Sequence, residues 1–129
     1  LFADILLILE PLGLDLEFSK GEGPVIHNPV REPRDVDRIA RVESADALGL
    51  GYVADAVRLI RAGLPRDRAL IGFAGAPFTL ACYAIEGGSS RHYEKAKRFM
   101  YADEGAWNAL MDRFVHATTL YLNAQADAG

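Results

Sequence analysis

The sequence predicts an α/β fold in which helices pack around parallel strands. Three observations carry that expectation. Residues 69–74, ALIGFA, form a short unbroken apolar run, the pattern of a strand covered on both faces. Gly75, Ala76 and Pro77 end the run, and residues 78–85 read as a helix stopped by Gly87 and Gly88. Extended and helical patterns also alternate along the chain, in the order extended, helix, strand, helix, helix. In α/β proteins, turns at the carboxyl ends of strands are where substrates bind, so the turn at 75–77 is the reference point for a site.

The chain begins with an apolar stretch, 1–9, broken only by Asp4. Its first residues read as the end of a buried strand, and 5–12 as a short helical turn that Gly13 terminates. Residues 14–18, LDLEF, alternate with period two and predict a half-buried strand. The run Gly21-Glu22-Gly23-Pro24 is a turn, 25–30 a second extended piece and 31–33 a loop. Residues 35–42 predict a short polar helix, with Val36, Ile39 and Ala40 at helical spacing. Residues 47–63 predict a stronger one, striped by Tyr52, Val53, Ala56, Val57, Leu59 and Ile60. After Gly88, Ser89 and Ser90 offer capping hydroxyls to a helix over 93–101. Asp103 caps a last helix that carries Trp107, Leu110, Met111, Phe114, Thr118, Tyr121 and Leu122 on one side.

Composition restricts the function. A chain of 129 residues holds one domain with a real core, and 50% apolar with 25% charged residues is ordinary for a soluble globular protein. The formal net charge of -4 gives no pull toward nucleic acid or an anionic membrane surface. No apolar run is long enough to span a bilayer, and the first residues lack the positive region of a signal peptide. Cys82 is the single cysteine and has no partner for an internal disulfide, which fits a reducing compartment and a cytoplasmic location. The chain opens without Met inside an apolar run and closes on Asp127-Ala128-Gly129. We expect a piece of a longer protein, with apolar edges left for the remainder.

Few residues suggest chemistry. Asp4 stands out, because a carboxylate in an apolar run is costly if charged and unpaired. Pattern alone favours Asp4 as the cap of the turn starting at Ile5. The alternative places it at the end of a strand, facing ligand N–H donors or a developing cation. Tyr83 reads either as a core or rim aromatic or as a hydroxyl that bonds a substrate carboxylate. Phe73 reads as a core aromatic, and Gly72 and Gly75 can bring backbone close to a ligand. Glu86, at an unfavourable helix end, is expected in a structural pairing with a cation such as Arg91. His27, His92 and His116 are scattered outside any metal-ligand spacing, so no metal is expected. Cys82 reads as a packed small residue.

Several of these segments together resemble uroporphyrinogen decarboxylase. They are FADIL at 2–6, GEGP at 21–24, LIGFAGAPFTLACY at 70–83 and IEGG at 85–88. Lys97-Arg98, Met100-Tyr101, Tyr121-Leu122 and Gln125 add to them, in family order over nearly the whole chain. The resemblance implies a (β/α)8 TIM barrel, of which 1–129 would be one incomplete domain, since a barrel needs about 250 residues. It implies conversion of uroporphyrinogen III to coproporphyrinogen III by loss of carbon dioxide from four acetate side chains, with no metal or organic cofactor, in a homodimer. By position, Asp4 matches the family's key aspartate, which accepts hydrogen bonds from the pyrrole N–H groups and favours a protonated pyrrole. Tyr83 matches the active-site tyrosine, Phe73 a pocket-lining residue, and 72–76 part of the wall. The resemblance also implies an arginine-rich motif and a late histidine that this chain lacks, so the isolated chain is expected to have no useful turnover. Pro11, Glu104 and Ala3 depart from the family pattern without touching Asp4 or Tyr83.

Two other readings compete. One is a corrinoid- or thiol-dependent methyltransferase of the wider superfamily, which uses zinc held by His and Cys late in its chain. The other is a non-catalytic truncated barrel piece that only packs against a partner.

Overall fold

The computed structural model describes residues 3–21 and 23–129. Leu1, Phe2 and Glu22 therefore lie outside the described residues, as do the expectations resting on them: the strand end before Asp4 and the tip of the 21–24 turn. Two short strands, β1 (Leu16–Ser19) and β2 (Gly23–Ile26), precede four helices, α1 (Gly51–Gly63), α2 (Pro77–Glu86), α3 (Glu94–Ala102) and α4 (Glu104–Ala128). Single 3-10 turns occupy Leu7–Leu9, Pro33–Arg38 and Asp46–Leu48.

The α4 helix is the spine. Its 25 residues extend roughly 38 Å at 1.5 Å per residue, and α1, α2, α3 and the Pro33–Arg38 turn all pack along it. Leu110, Phe114, Ala117 and Tyr121 recur three and four apart and are buried. They meet Leu80, Ala81 and Ile85 of α2, with Leu9, Leu12 and Val30 from the N-terminal third, in one continuous core. Asp103 starts α4 as expected, its Oδ1 accepting from Ala106 N at 2.9 Å. Two α4 side chains reach across to the irregular segment after the Pro33–Arg38 turn. Arg113 Nη1 donates to Ile39 O and His116 Nε2 to Val42 O, both at 2.8 Å. This capture explains why the expected helix over 35–42 shrinks to a 3-10 turn. The chain leaves helical geometry at Ile39 (φ -73°, ψ 117°), and its backbone groups bond elsewhere, including Ala40 N to Leu12 O at 2.9 Å.

The strands pair antiparallel, with Leu16 opposite Ile26 and Ser19 opposite Gly23. The positive φ values of Gly21 (91°) and Gly23 (81°) suit the tight turn between them. His27 Nε2 donates to Glu17 Oε2 across the hairpin at 2.7 Å. The hairpin docks on the end of α2: Val25 bridges Gly88, and Ile26 N donates to Gly87 O at 2.9 Å. Gly87 (φ 85°) is the left-handed cap, its N–H donating to Tyr83 O. Arg31 completes the junction by donating to the last α2 carbonyls, Ile85 O at 2.5 Å and Glu86 O at 3.1 Å.

The apolar run 69–74 departs from expectation. It forms no strand ladder among the described residues, and Ile71 is 77% exposed. A strand buried on both faces needs neighbouring strands, and the only sheet among the described residues is the β1–β2 hairpin. The loop that leads into this segment is nonetheless held: Arg61 donates to Leu64 O at 3.1 Å, Pro65 O at 2.8 Å and Arg68 O at 2.8 Å.

Candidate functional site

The turn between 69–74 and α2 is built from small residues for a visible reason. Gly75 is buried, and a Cβ there would lie 3.0 Å from Leu80 Cδ2, 3.2 Å from Ile5 Cβ and 3.4 Å from Ile5 O. Only glycine lets the segment after Asp4 come so close. Ala76 follows in extended geometry (φ -62°, ψ 145°) and Pro77 opens α2, where its missing N–H is harmless.

Asp4 sits on the other side of that contact and is partly exposed. Its Oδ1 accepts from Leu6 N at 2.8 Å, and its carbonyl accepts from Leu7 N at 3.4 Å. One carboxylate oxygen thus caps the turn, as the pattern favours. The other accepts no hydrogen bond among the described residues. The cap uses Oδ1 alone.

Phe73 is held by a residue of α4. Phe73 N donates to Gln125 Oε1 at 3.2 Å, and Gln125 Nε2 donates back to Phe73 O at 3.1 Å. Gly72 also lines a shallow apolar cleft with Val57, Leu70, Leu122 and Gln125. Tyr83 is half-buried on α2 and packs against the core. Its hydroxyl makes no hydrogen bond among the described residues, nor does any such bond join Tyr83 to Asp4. The segment after Asp4 and the rim turn thus meet through Ile5 and Gly75, while Phe73 is tied to α4 through Gln125.

The remaining candidates are structural. Glu86 is paired, though not with Arg91: its Oε1 accepts from Lys95 N at 2.9 Å and Ala96 N at 3.0 Å, so it caps the positive end of α3. Ser90 Oγ accepts from Tyr93 N at 3.0 Å just before the same helix. Cys82 is buried, and burial pushes its thiol up, with the Glu86 charge adding to the effect. Burial likewise raises the Tyr121 phenol, helped by Tyr52. Asp35 moves the other way. The Arg31 amide holds its carboxyl below the usual range against some desolvation, with the Glu32 amide and the Arg38 charge assisting. Among the described residues no three of His, Cys, Asp and Glu are grouped to hold a metal ion.

Two residues of consequence were not singled out as site candidates from the sequence. Arg31 bears no local signal, because its partners lie 54 and 55 residues away. Gln125 does carry one: it continues the buried face of α4, four residues after Tyr121 and seven after Thr118. A polar amide at a core position needs partners, and Phe73 supplies them.

Comparison with known proteins places these features in context. The family model for uroporphyrinogen decarboxylase (URO-D) matches residues 1–129. A uroporphyrinogen decarboxylase of Sorangium cellulosum is 54% identical over the whole of this chain, and that of a Roseiflexus species 50%. The uroporphyrinogen decarboxylase of Bacillus cytotoxicus is 46% identical, again over the whole chain. In each case the chain spans about 36% of the relative's length. These matches do not favour the methyltransferase alternative.

Proposed function

The chain belongs to the uroporphyrinogen decarboxylase family, and on that premise we propose that it supplies one wall and the central carboxylate of a site that converts uroporphyrinogen III to coproporphyrinogen III in porphyrin biosynthesis. Its fold is a portion of the family's (β/α)8 barrel, and such barrels carry their sites at the carboxyl ends of the strands. The single observation that carries the proposal is the contact of Ile5 with Gly75. It seats the Asp4 turn against the loop that runs from Phe73 into the helix of Tyr83.

In this reading Asp4 Oδ1 fixes the turn, and Oδ2 accepts pyrrole N–H donors of the bent macrocycle. A proton added to a pyrrole makes that ring an electron sink. The bond from the acetate methylene to its carboxylate then breaks, carbon dioxide leaves, and the electron pair flows into the ring. A proton added to the methylene carbon completes the methyl group, the ring gives up the proton it gained so that one proton is consumed for each carbon dioxide released, and the step is repeated on four side chains. The Asp4 charge favours the cationic ring and is most effective out of bulk water. The Tyr83 hydroxyl bonds a substrate carboxylate, while Phe73 and the backbone at Gly72 flank the ring.

Asp4→Asn in the full-length chain tests this cleanly, because asparagine also caps. We expect the fold to persist and kcat to fall by about 10²–10³, measured as coproporphyrinogen formed. Asp4→Ala is expected to lose, in addition, about 0.5–2 kcal/mol of stability with the cap. A wild-type kcat in Asp4→Asn overturns the assignment.

A further inference from the structure

We infer that Gln125 is a positioning residue for the substrate pocket, acting through the main chain of Phe73. The inference rests on the proposed function for its meaning, but its geometry is independent of it. Gln125 is 8% exposed, and a buried side-chain amide is costly unless both ends are paired. Both are paired with the same residue: Oε1 accepts from Phe73 N at 3.2 Å, and Nε2 donates to Phe73 O at 3.1 Å. Donating to and accepting from one residue is what an adjoining strand does in a ladder. The amide therefore reads the register of the 69–74 segment. A slip of one residue would turn the partner groups to the other side and break both bonds.

A second observation points to the same amide. A Cβ on Gly72 would lie 2.6 Å from Gln125 Oε1, closer than side chains tolerate. Glycine at 72 is thus the condition under which Gln125 can reach Phe73. Gln125 itself is fixed by α4, one turn beyond the buried Tyr121. The two bonds transmit the placement of that helix to the backbone at 72–73, which the proposed function puts beside the ring. Gln125 touches no reacting atom in this account. Its loss should displace the wall and weaken substrate binding, leaving the chemical step driven by Asp4 largely intact.

The test uses the full-length chain and compares wild type with Gln125→Leu, Gln125→Glu and Gly72→Ala, well below their unfolding temperatures. Two readouts are taken: KM and kcat for uroporphyrinogen, and amide hydrogen exchange of peptides covering 72–74. In Gln125→Leu we expect exchange to rise about tenfold or more, and KM to rise about fivefold or more with kcat within about twofold. Gly72→Ala should reproduce the rise in exchange, and in that readout the double variant should be no worse than the more affected single. Gln125→Glu keeps the acceptor and should fall between. Should Gln125→Leu fail to fold, Gln125→Glu and Gly72→Ala decide the matter. Unchanged exchange, unchanged KM, or kcat and KM declining together in step with stability overturns the inference. A folded wild-type chain that makes no coproporphyrinogen defeats the proposed function instead, and exchange alone then judges Gln125.

Discussion

A methyl group on Gly75 would meet Leu80 at 3.0 Å and Ile5 at 3.2 Å, and neither can retreat without disturbing the core or the Asp4 turn. Gly75→Ala is therefore expected to cost about 1–3 kcal/mol, measured by urea unfolding at constant m. The sequence suggests that this glycine brings backbone close to a ligand, whereas its near neighbours in the fold are Ile5 and Leu80, which only the tertiary structure reveals. Asp35 shows the electrostatic side of the same scale. Its Oδ2 accepts from Arg31 N at 2.9 Å and Glu32 N at 3.0 Å, and the Arg38 guanidinium lies 3.3 Å from Oδ1. These contacts hold its carboxyl below the usual carboxylate range. For a lowered carboxyl the contribution to stability is complete above the unfolded pKa and is lost as pH falls through the folded one. Asp35→Asn should thus be less stable than wild type near neutrality, and the gap should close as pH falls through the usual carboxylate range and below it. Unfolding midpoints of the two proteins across that range check it.

At the level of elements, α2, α3 and α4 were legible because local signals agreed. Pro77 opens α2, Gly87 closes it, and Asp103 caps α4 as its type and place suggest. The 69–74 segment was not legible as it stands, since an apolar run shows an appetite for burial but cannot supply the strands that satisfy it. The spacing of Val36, Ile39 and Ala40 predicts a longer helix than the Pro33–Arg38 turn that forms. The opposing pull, from Arg113 and His116, comes from residues 74 positions later. Asp4 was read both as cap and as ligand carboxylate, and sequence could not reveal that one oxygen suffices for the cap. Glu86 makes a further point about elements. It ends one helix and begins the next, so its carboxylate should matter more to α3 than to α2. Glu86→Ala is expected to destabilise by about 0.5–2 kcal/mol. Amide exchange should rise at Lys95 and Ala96, whose N–H groups it accepts, and the α2 interior should stay protected.

Over the whole molecule, three helices and an N-terminal third share one core organised by α4. The hairpin is tied to it through Gly87, Gly88 and Arg31. The proposed site would be divided in the same way: Asp4 lies in the N-terminal third, Tyr83 on α2, and the support of Phe73 on α4. No local mutation series on one element would expose the whole arrangement. Arg61 carries a last consequence, for how a protease meets this protein. Arg66 and Arg68 are both exposed and look like the natural place for trypsin to enter. Cleavage requires the backbone to be peeled off and drawn straight, yet the Arg61 guanidinium buckles down the carbonyls of Leu64, Pro65 and Arg68. Limited digestion should therefore nick first after Lys20, at the hairpin tip. Arg61→Met should open the buckle and bring early cuts after Arg66 and Arg68, visible in the masses of the first fragments.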